Sequence, residues 1–70
     1  MKYIFINQDG TVLKEASKEP SLKEMQEFVG GYIEYHQNII CNEDGLRLKL
    51  KRNIHDARFV GNIIETRRGK

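Results

Sequence analysis

The chain has 70 residues, a single cysteine and a formal net charge of +2. A chain this short folds as one domain with a thin core, because it buries only roughly 60% of the surface that its unfolded form exposes. One cysteine excludes a disulfide within the chain, and its histidines and cysteine lack the spacing of structural zinc sites. Self-association as a homo-oligomer is therefore the expected additional source of stability.

The charge is divided unevenly along the chain. Residues 1–46 carry 4 basic and 8 acidic side chains, whereas residues 47–70 carry 8 basic and 2 acidic ones. The apolar run near the N-terminus is too short for a signal peptide or a membrane span. We therefore expect an unprocessed cytoplasmic protein that makes no membrane contact.

A β-hairpin is predicted at the N-terminus. Residues 3–6 form an apolar run of aromatic and β-branched side chains, which is typical of a buried strand. Asp9-Gly10 is a strong turn signal, because glycine adopts a positive φ without a steric clash. Residues 11–15 are then predicted to form the returning strand.

The clearest predicted element is a helix over residues 21–30. Ser21 and Glu24 match a capping box, in which two side chains satisfy backbone N–H groups at the start of a helix. Gly30-Gly31 is expected to end the helix by supplying a left-handed cap. The apolar side chains between them fall on one helical stripe, which we expect to pack on the sheet. Its members are Leu22, Met25, Phe28 and Val29.

Further strands are predicted after the helix. Residues 32–36 are rich in strand-forming side chains, and residues 39–41 form a second apolar run. After an acidic turn at residues 42–45, residues 46–51 alternate apolar and basic side chains without exception, which is the pattern of a half-buried strand. Residues 59–65 are predicted as the last strand.

These elements predict a small α+β domain in the order β-β-α-β-β-β. One helix is expected to pack on one face of a small, mostly antiparallel sheet. The other face would be partly wet or would face a second subunit. Residues 1–66 are assigned to a single domain, and residues 67–70 to a frayed basic tail.

A resemblance to a known family rests on four parts of the sequence. Residues 22–34 include Phe-Val-Gly-Gly-Tyr-Ile-Glu, and they are followed by Asn42-Glu43-Asp44-Gly45, Asn53 and Val60-Gly61-Asn62. Over residues 3–65, the chain resembles a phage-associated family of small proteins catalogued as domain-of-unknown-function family 3846. The resemblance implies a fold, a phage or mobile-element origin and, with it, the cytoplasm of the host cell. It implies no reaction.

No catalytic motif is found, and no metal or cofactor site is predicted. Cys41 would be a nucleophile only with a histidine beside it, and a cysteine in an apolar run is more often a core residue. His36 and His55 have no carboxylate or cysteine at a useful spacing. Glu43 and Asp44 could bind a cation or act as acid and base, but adjacent carboxylates in an Asp-Gly turn are more simply solvated turn formers. We therefore predict that the protein is not an enzyme.

Two surfaces are candidates for binding. Tyr32 and Glu34 share one strand face if Ile33 points to the core, and an exposed tyrosine beside a carboxylate suits recognition of a base or a partner. The basic side chains of residues 46–52, a departure from the family pattern, either bind phosphate or protect a sheet edge, and the edge role is favoured. The candidate binding residues are Tyr32, Glu34, Asn42, Glu43, Arg47, Lys49, Lys51 and Asn53.

The sequence thus favours a small non-catalytic binding protein of phage or mobile-element type. It would act by stoichiometric binding of a host or defence-related protein, or of a small nucleotide. The alternative is a nucleic-acid-binding accessory protein that uses the basic strand 46–52. No aromatic side chains interleave these basic residues, which disfavours binding to single-stranded nucleic acid.

Overall fold

The computed structural model describes residues 1–68, which form a five-stranded sheet and one helix. The helix α1 spans Leu22–Val29, and the strands are β1 (Lys2–Ile6), β2 (Val12–Ala16), β3 (Ile33–His36), β4 (Ile39–Asn42) and β5 (Ile63–Arg67). In space the strands lie in the order β2-β1-β5-β4-β3, and every neighbouring pair is antiparallel. The predicted fold class and the order β-β-α-β-β-β are confirmed.

Helix α1 begins and ends where the sequence predicts. The Ser21 hydroxyl accepts a hydrogen bond from the backbone N–H of Glu24 at 3.1 Å, which is one half of the predicted capping box. The Glu24 carboxylate pairs with the Lys14 ammonium of β2 instead of reaching back to the start of the helix. Gly30 closes the helix with a φ of 87°, and its N–H donates to the Gln26 carbonyl.

The sheet carries an apolar cluster on each face, because successive side chains of a strand point to opposite sides. The helix-face cluster lies under α1 and consists of Phe5, Met25, Ile40 and Ile64. The loop-face cluster lies on the opposite side and consists of Ile4, Ile6, Ile39, Cys41 and Ile63. The apolar core of this small domain is therefore divided into two layers by its sheet.

The predicted helical stripe is correct at three of its four positions. Met25 and Val29 are buried, and Phe28 is partly buried. The ring of Phe28 meets that of Phe5 edge-on, with ring centroids 5.0 Å apart. The fourth position is wrong, because Leu22 is 56% exposed. As the first residue of the helix, Leu22 lies at the end of the packed face rather than over the sheet.

The second face of the sheet is covered by the chain itself. Residues 43–62, which connect β4 to β5 and are called the covering segment here, lie over the loop-face cluster. Phe59 packs on that cluster, whose members are at most 6% exposed. The backbone N–H of Ile54 donates to the Gln8 carbonyl at 2.9 Å, which attaches the segment to the first hairpin. The prediction of a wet or subunit-facing second face is therefore wrong.

The predicted strand at residues 46–51 is also wrong. Residues 43–49 form successive turns, in which the Leu48 N–H donates to the Asp44 carbonyl at 2.9 Å. The Asn42 side chain begins these turns by accepting from the Asp44 N–H at 2.7 Å. Hydrogen bonds of this local kind compete with strand pairing. The strand beside β5 is β4, which the sequence shows only as a short apolar run.

The last strand begins later than predicted. The predicted strand starts at residue 59, but Val60 instead pairs with Arg52 in an isolated bridge within the covering segment. The strand β5 starts at Ile63. Arg67, which the prediction places in a frayed tail, pairs with Lys2 of β1. The last two residues of that tail lie outside the described residues. Within residues 1–68, no helix is long and apolar enough to cross a membrane.

Candidate functional site

A pocket of about 500 Å³ opens where the β3–β4 hairpin meets the covering segment. This volume falls within the range of roughly 300–1,000 Å³ that is typical of small-molecule sites. The hairpin supplies carboxylate, imidazole and thiol groups, and the covering segment supplies arginine and aromatic side chains. The lining residues are Glu34, His36, Cys41, Asn42, Glu43, Gly45, Leu46, Arg52, Arg58, Phe59 and Val60.

Three groups of the hairpin converge at this pocket. Glu34 lies directly opposite Cys41 in the register of β3 and β4, and His36 lies two residues further along the same face. One donor atom from each of the three side chains lies within 4.8 Å of the other two. His36 Nε2 is 3.1 Å from Glu34 Oε2. In the sequence, this cluster corresponds to Glu-x-His on one strand and a cysteine on the next. The usual spacings of metal ligands do not reveal it, because strand pairing brings the cysteine beside the other two residues.

Cys41 has a histidine beside it, but its thiol is not activated. The residue is 6% exposed, and its Sγ–H donates weakly to the Glu34 carbonyl at 3.7 Å. Burial raises the pKa of the Cys41 thiol, and the negative charge of Glu34 raises it further. Because the thiolate is the reactive form, this environment disfavours nucleophilic chemistry by the metal-free protein.

The arginines of the pocket are held by the covering segment. Arg58 Nη2 lies 2.7 Å from Asp56 Oδ2, and the hydrogen bonds from this guanidinium lower the pKa of the Asp56 carboxyl. The same guanidinium lies over the Phe59 ring, 5.3 Å from its centroid. Arg52 Nη1 donates to the Ala57 carbonyl at 2.8 Å. Since guanidinium has five N–H donors, both arginines keep donors that can meet a ligand.

The structure places three of the predicted binding residues at this pocket and leaves Tyr32 outside its lining. Glu34 and Glu43 present exposed carboxylates. Asn42 lines the pocket but is buried, and its Nδ2 donates to the Val29 carbonyl at 3.0 Å, so it has a structural contact as well. Tyr32 is exposed, and its backbone carbonyl accepts from the Glu43 N–H at 2.9 Å.

The basic residues do not form the predicted face. Arg47 lies in the turns of residues 43–49, where its guanidinium pairs with Asp44 at 3.2 Å. Lys49 adopts a left-handed φ of 58°, and Lys51 follows outside any strand. Without a strand, these side chains do not line one strand face or protect a sheet edge. The predicted basic strand is therefore wrong, whereas phosphate binding by these side chains stays a prediction.

Asn53 is fully buried, at 0% exposure, so it does not present a surface for a ligand. Its Nδ2 donates to the Gly61 carbonyl at 2.8 Å and to the Asn7 carbonyl at 3.1 Å. Asn53 therefore holds the covering segment in place. The residues that sequence reasoning missed come mainly from this segment, namely Arg52, Arg58 and Phe59, together with His36 and Cys41 of the hairpin.

Comparison with curated proteins and with solved structures finds no match. One family model, described as Domain of unknown function (DUF3846), matches residues 1–69. This match covers almost the whole chain and confirms the resemblance based on the Gly-Gly-Tyr-Ile-Glu and Asn-Glu-Asp-Gly elements. The chain belongs to the DUF3846 family.

Proposed function

We propose that this protein is a non-catalytic binding protein that holds its ligand stoichiometrically in the pocket between the β3–β4 hairpin and the covering segment. Its ligand is a host or defence-related partner or a small nucleotide, and the pocket favours the nucleotide. The observation that carries the proposal is the combination of arginine donors and an aromatic wall in a pocket of about 500 Å³.

The chemistry of the lining suits a nucleotide. Arg52 and Arg58 offer the charge-assisted N–H donors that phosphate groups accept, and Arg58 is already oriented by Asp56. Phe59, whose ring carries the Arg58 guanidinium, adds an apolar side chain beside which a base can pack. The carboxylates of the pocket can accept hydrogen bonds from ribose hydroxyls or from exocyclic amines. A ligand with both an anionic and a hydrogen-donating end therefore fits this mixture of charges.

The absence of turnover is part of the proposal. Its support is the raised pKa of the Cys41 thiol, which favours the protonated form of this nucleophile in the pocket lining. Phage or mobile-element origin and a cytoplasmic location also belong to the proposal, and they rest on the phage association of the resemblance. Binding without turnover would let a small protein act by sequestering or occluding its target.

We also propose that the protein self-associates as a homo-oligomer through the edges of its sheet rather than through a sheet face. The covering segment occupies the sheet face that a second subunit was expected to cover. The two edge strands, β2 and β3, remain as routes for pairing between copies.

Titration calorimetry of reduced, metal-free protein with nucleoside mono-, di- and triphosphates tests the nucleotide proposal. We expect binding of one nucleotide per pocket and no change in the nucleotide after prolonged incubation. Arg52→Gln should lower the affinity by roughly 10- to 100-fold, because a hydrogen bond to a charged group contributes about 1.5–3 kcal/mol.

Arg47→Gln is the matched control, since Arg47 is an exposed arginine outside the pocket lining. It should leave the affinity unchanged. Turnover of any substrate at sub-stoichiometric protein would overturn the non-catalytic proposal. An equal loss of nucleotide affinity in Arg52→Gln and Arg47→Gln would show that the nucleotide does not bind in this pocket. Parent protein that binds none of the nucleotides would overturn the nucleotide proposal. Duplex DNA binding that disappears in an Arg47, Lys49 and Lys51 triple glutamine variant would favour the nucleic-acid alternative.

A further inference from the structure

We propose that Glu34, His36 and Cys41 bind one divalent transition-metal ion of the zinc class at this pocket. The three side chains present a carboxylate oxygen, an imidazole nitrogen and a thiol sulfur within 4.8 Å of one another. This inference does not rest on nucleotide binding, because it concerns the donor set of the hairpin alone.

The backbone of the hairpin aligns the three donors. Glu34 and Cys41 are direct cross-strand partners, and their side chains emerge side by side on the loop face of the sheet. His36 shares that face two residues further along, and its Nε2 is already 3.1 Å from Glu34 Oε2. A hydrogen-bonded pair of strands therefore fixes the starting points of all three ligands, which a surface loop would not do.

Small side-chain rotations would complete the coordination geometry. Zinc bonds of about 2.0–2.3 Å to nitrogen, oxygen and sulfur place tetrahedral ligand atoms roughly 3–4 Å apart. The widest separation here is at most 4.8 Å. The side chains of His36 and Glu34 are 53% and 47% exposed, so they have room to rotate toward the buried Cys41 sulfur.

The donor set selects the class of metal. A thiolate and an imidazole favour zinc and similar borderline ions, whereas magnesium and calcium favour sites made of oxygen ligands. Three protein ligands leave a fourth tetrahedral position, as in zinc sites that take a water or a ligand. All three groups line the pocket, so a metal held by them would lie beside the space that a small ligand would occupy.

A bound cation would also balance the charges of the site. Cys41 lies directly opposite Glu34 in the sheet, so a Cys41 thiolate would face the negative charge of the Glu34 carboxylate. Coordination removes the thiol proton and places a divalent charge between the two anionic ligands. Metal binding should therefore release protons and weaken as the pH falls. Without a metal, the same residues are only an exposed His–Glu pair beside a core cysteine.

The test is an anaerobic titration of reduced, untagged, metal-free protein with Co²⁺, followed by absorbance. We expect one Co²⁺ per chain with a thiolate-to-cobalt charge-transfer band, and displacement of the cobalt by Zn²⁺ but not by Mg²⁺. Cys41→Ser should abolish the band. His36→Gln should lower the affinity at least about 100-fold, since even changes outside the coordination sphere often cost 10–100-fold.

His55→Gln is the matched control. His55 Nε2 lies 3.1 Å from Glu65 Oε1, so it forms a histidine–glutamate pair of the same length but lies outside the three-ligand cluster. Its substitution should leave the titration unchanged. The proposal is overturned if the parent protein shows no charge-transfer band, or if His55→Gln weakens binding as much as His36→Gln does. If Cys41→Ser does not fold, His36→Gln still decides the matter, because its side chain is largely exposed.

Discussion

Asparagine side chains join the end of the helix to the sheet and the covering segment. Asn42 Nδ2 donates to the Val29 carbonyl, and Asn62 Nδ2 donates to the Phe28 carbonyl, each at 3.0 Å. These bonds satisfy carbonyls that the end of a helix leaves without helical partners. A Cβ atom at Gly31 would lie 3.2 Å from Asn42 Nδ2, so glycine gives this amide room. Several residues that carry the family resemblance therefore attach the end of α1 to β4 and to the covering segment.

Asn53→Ala should destabilise the protein by at least about 3 kcal/mol. The side chain donates to the Asn7 and Gly61 carbonyls and accepts from two backbone N–H groups of the covering segment. Each buried group left without its partner costs about 1–3 kcal/mol. Urea unfolding followed by circular dichroism measures the change. Asn38→Ala is the control, because Asn38 is exposed and should tolerate the substitution; equal stability of the two variants would show that Asn53 is dispensable.

The Asp56 carboxyl should titrate below its ordinary pKa of about 3.9. Its hydrogen bonds with Arg58 favour the charged form and lower its pKa. Because the pKa is lower in the folded state, this carboxylate stabilises the fold above about pH 4, and its contribution is lost as the pH falls through the folded-state pKa. NMR titration of the carboxyl carbon should show Arg58→Gln raising the pKa, with Arg67→Gln leaving it unchanged. A value unaffected by Arg58→Gln would contradict this assignment.

Helix α1 is held to the sheet by the apolar side chains of Met25, Phe28 and Val29. Phe28→Ala should cost about 3 kcal/mol, the low end of the range for such substitutions, because the ring is only partly buried against Phe5. Much of the total stability of so small a domain would then be lost. Leu22→Ala, on the same helix but exposed, should change the free energy of unfolding by less than about 0.5 kcal/mol. Thermal unfolding of both variants tests this; a larger loss in Leu22→Ala would reverse the assignment of the packed face.

Elements whose signals are local could be predicted from the sequence. The Ser21 cap, the Gly30 terminus and the Asp9-Gly10 turn each act through neighbouring backbone groups, and all three lie where predicted. The alternation of residues 46–51 gave a wrong prediction. An alternating pattern indicates which side chains would share a face if a strand formed, but it does not indicate whether a partner strand is present. Residues 43–49 instead form turns that begin with a hydrogen bond to the Asn42 side chain, and an alternating pattern does not indicate such turns.

At the scale of the whole molecule, the candidate site depends on contacts that the sequence pattern does not contain. Glu34 and Glu43 could be identified as candidates because each lies in or beside a recognisable element. Arg52, Arg58 and Phe59 reach the pocket through the path of the covering segment, which is set by nonlocal bonds such as that from Ile54 to the first hairpin. Likewise, the register of β3 and β4 places Cys41 opposite Glu34, and this register could not be read from either residue alone.

The sheet formed by residues 1–68 has two edge strands, and we expect self-association to use β3 rather than β2. β2 carries two charged pairs, Lys14–Glu24 and Lys2–Glu15, whereas β3 carries one, Glu34–His36, and charges of this kind protect an edge from pairing. β3 also exposes Tyr35, an amphipathic side chain of the kind enriched at interfaces, whereas the exposed apolar side chains of β2 are the aliphatic Val12 and Leu13.

Light scattering at high micromolar concentration should therefore give a mass above the 8.2 kDa of one chain for the parent protein. Tyr35→Lys should return the mass to that of one chain, because it places a charge on the pairing edge. Leu13→Lys, an equivalent change on the exposed β2 edge, should leave the assembly intact. A parent mass near 8.2 kDa at every concentration would show that the protein is monomeric. Dissociation by Leu13→Lys alone would place the contact on β2 and overturn the choice of edge.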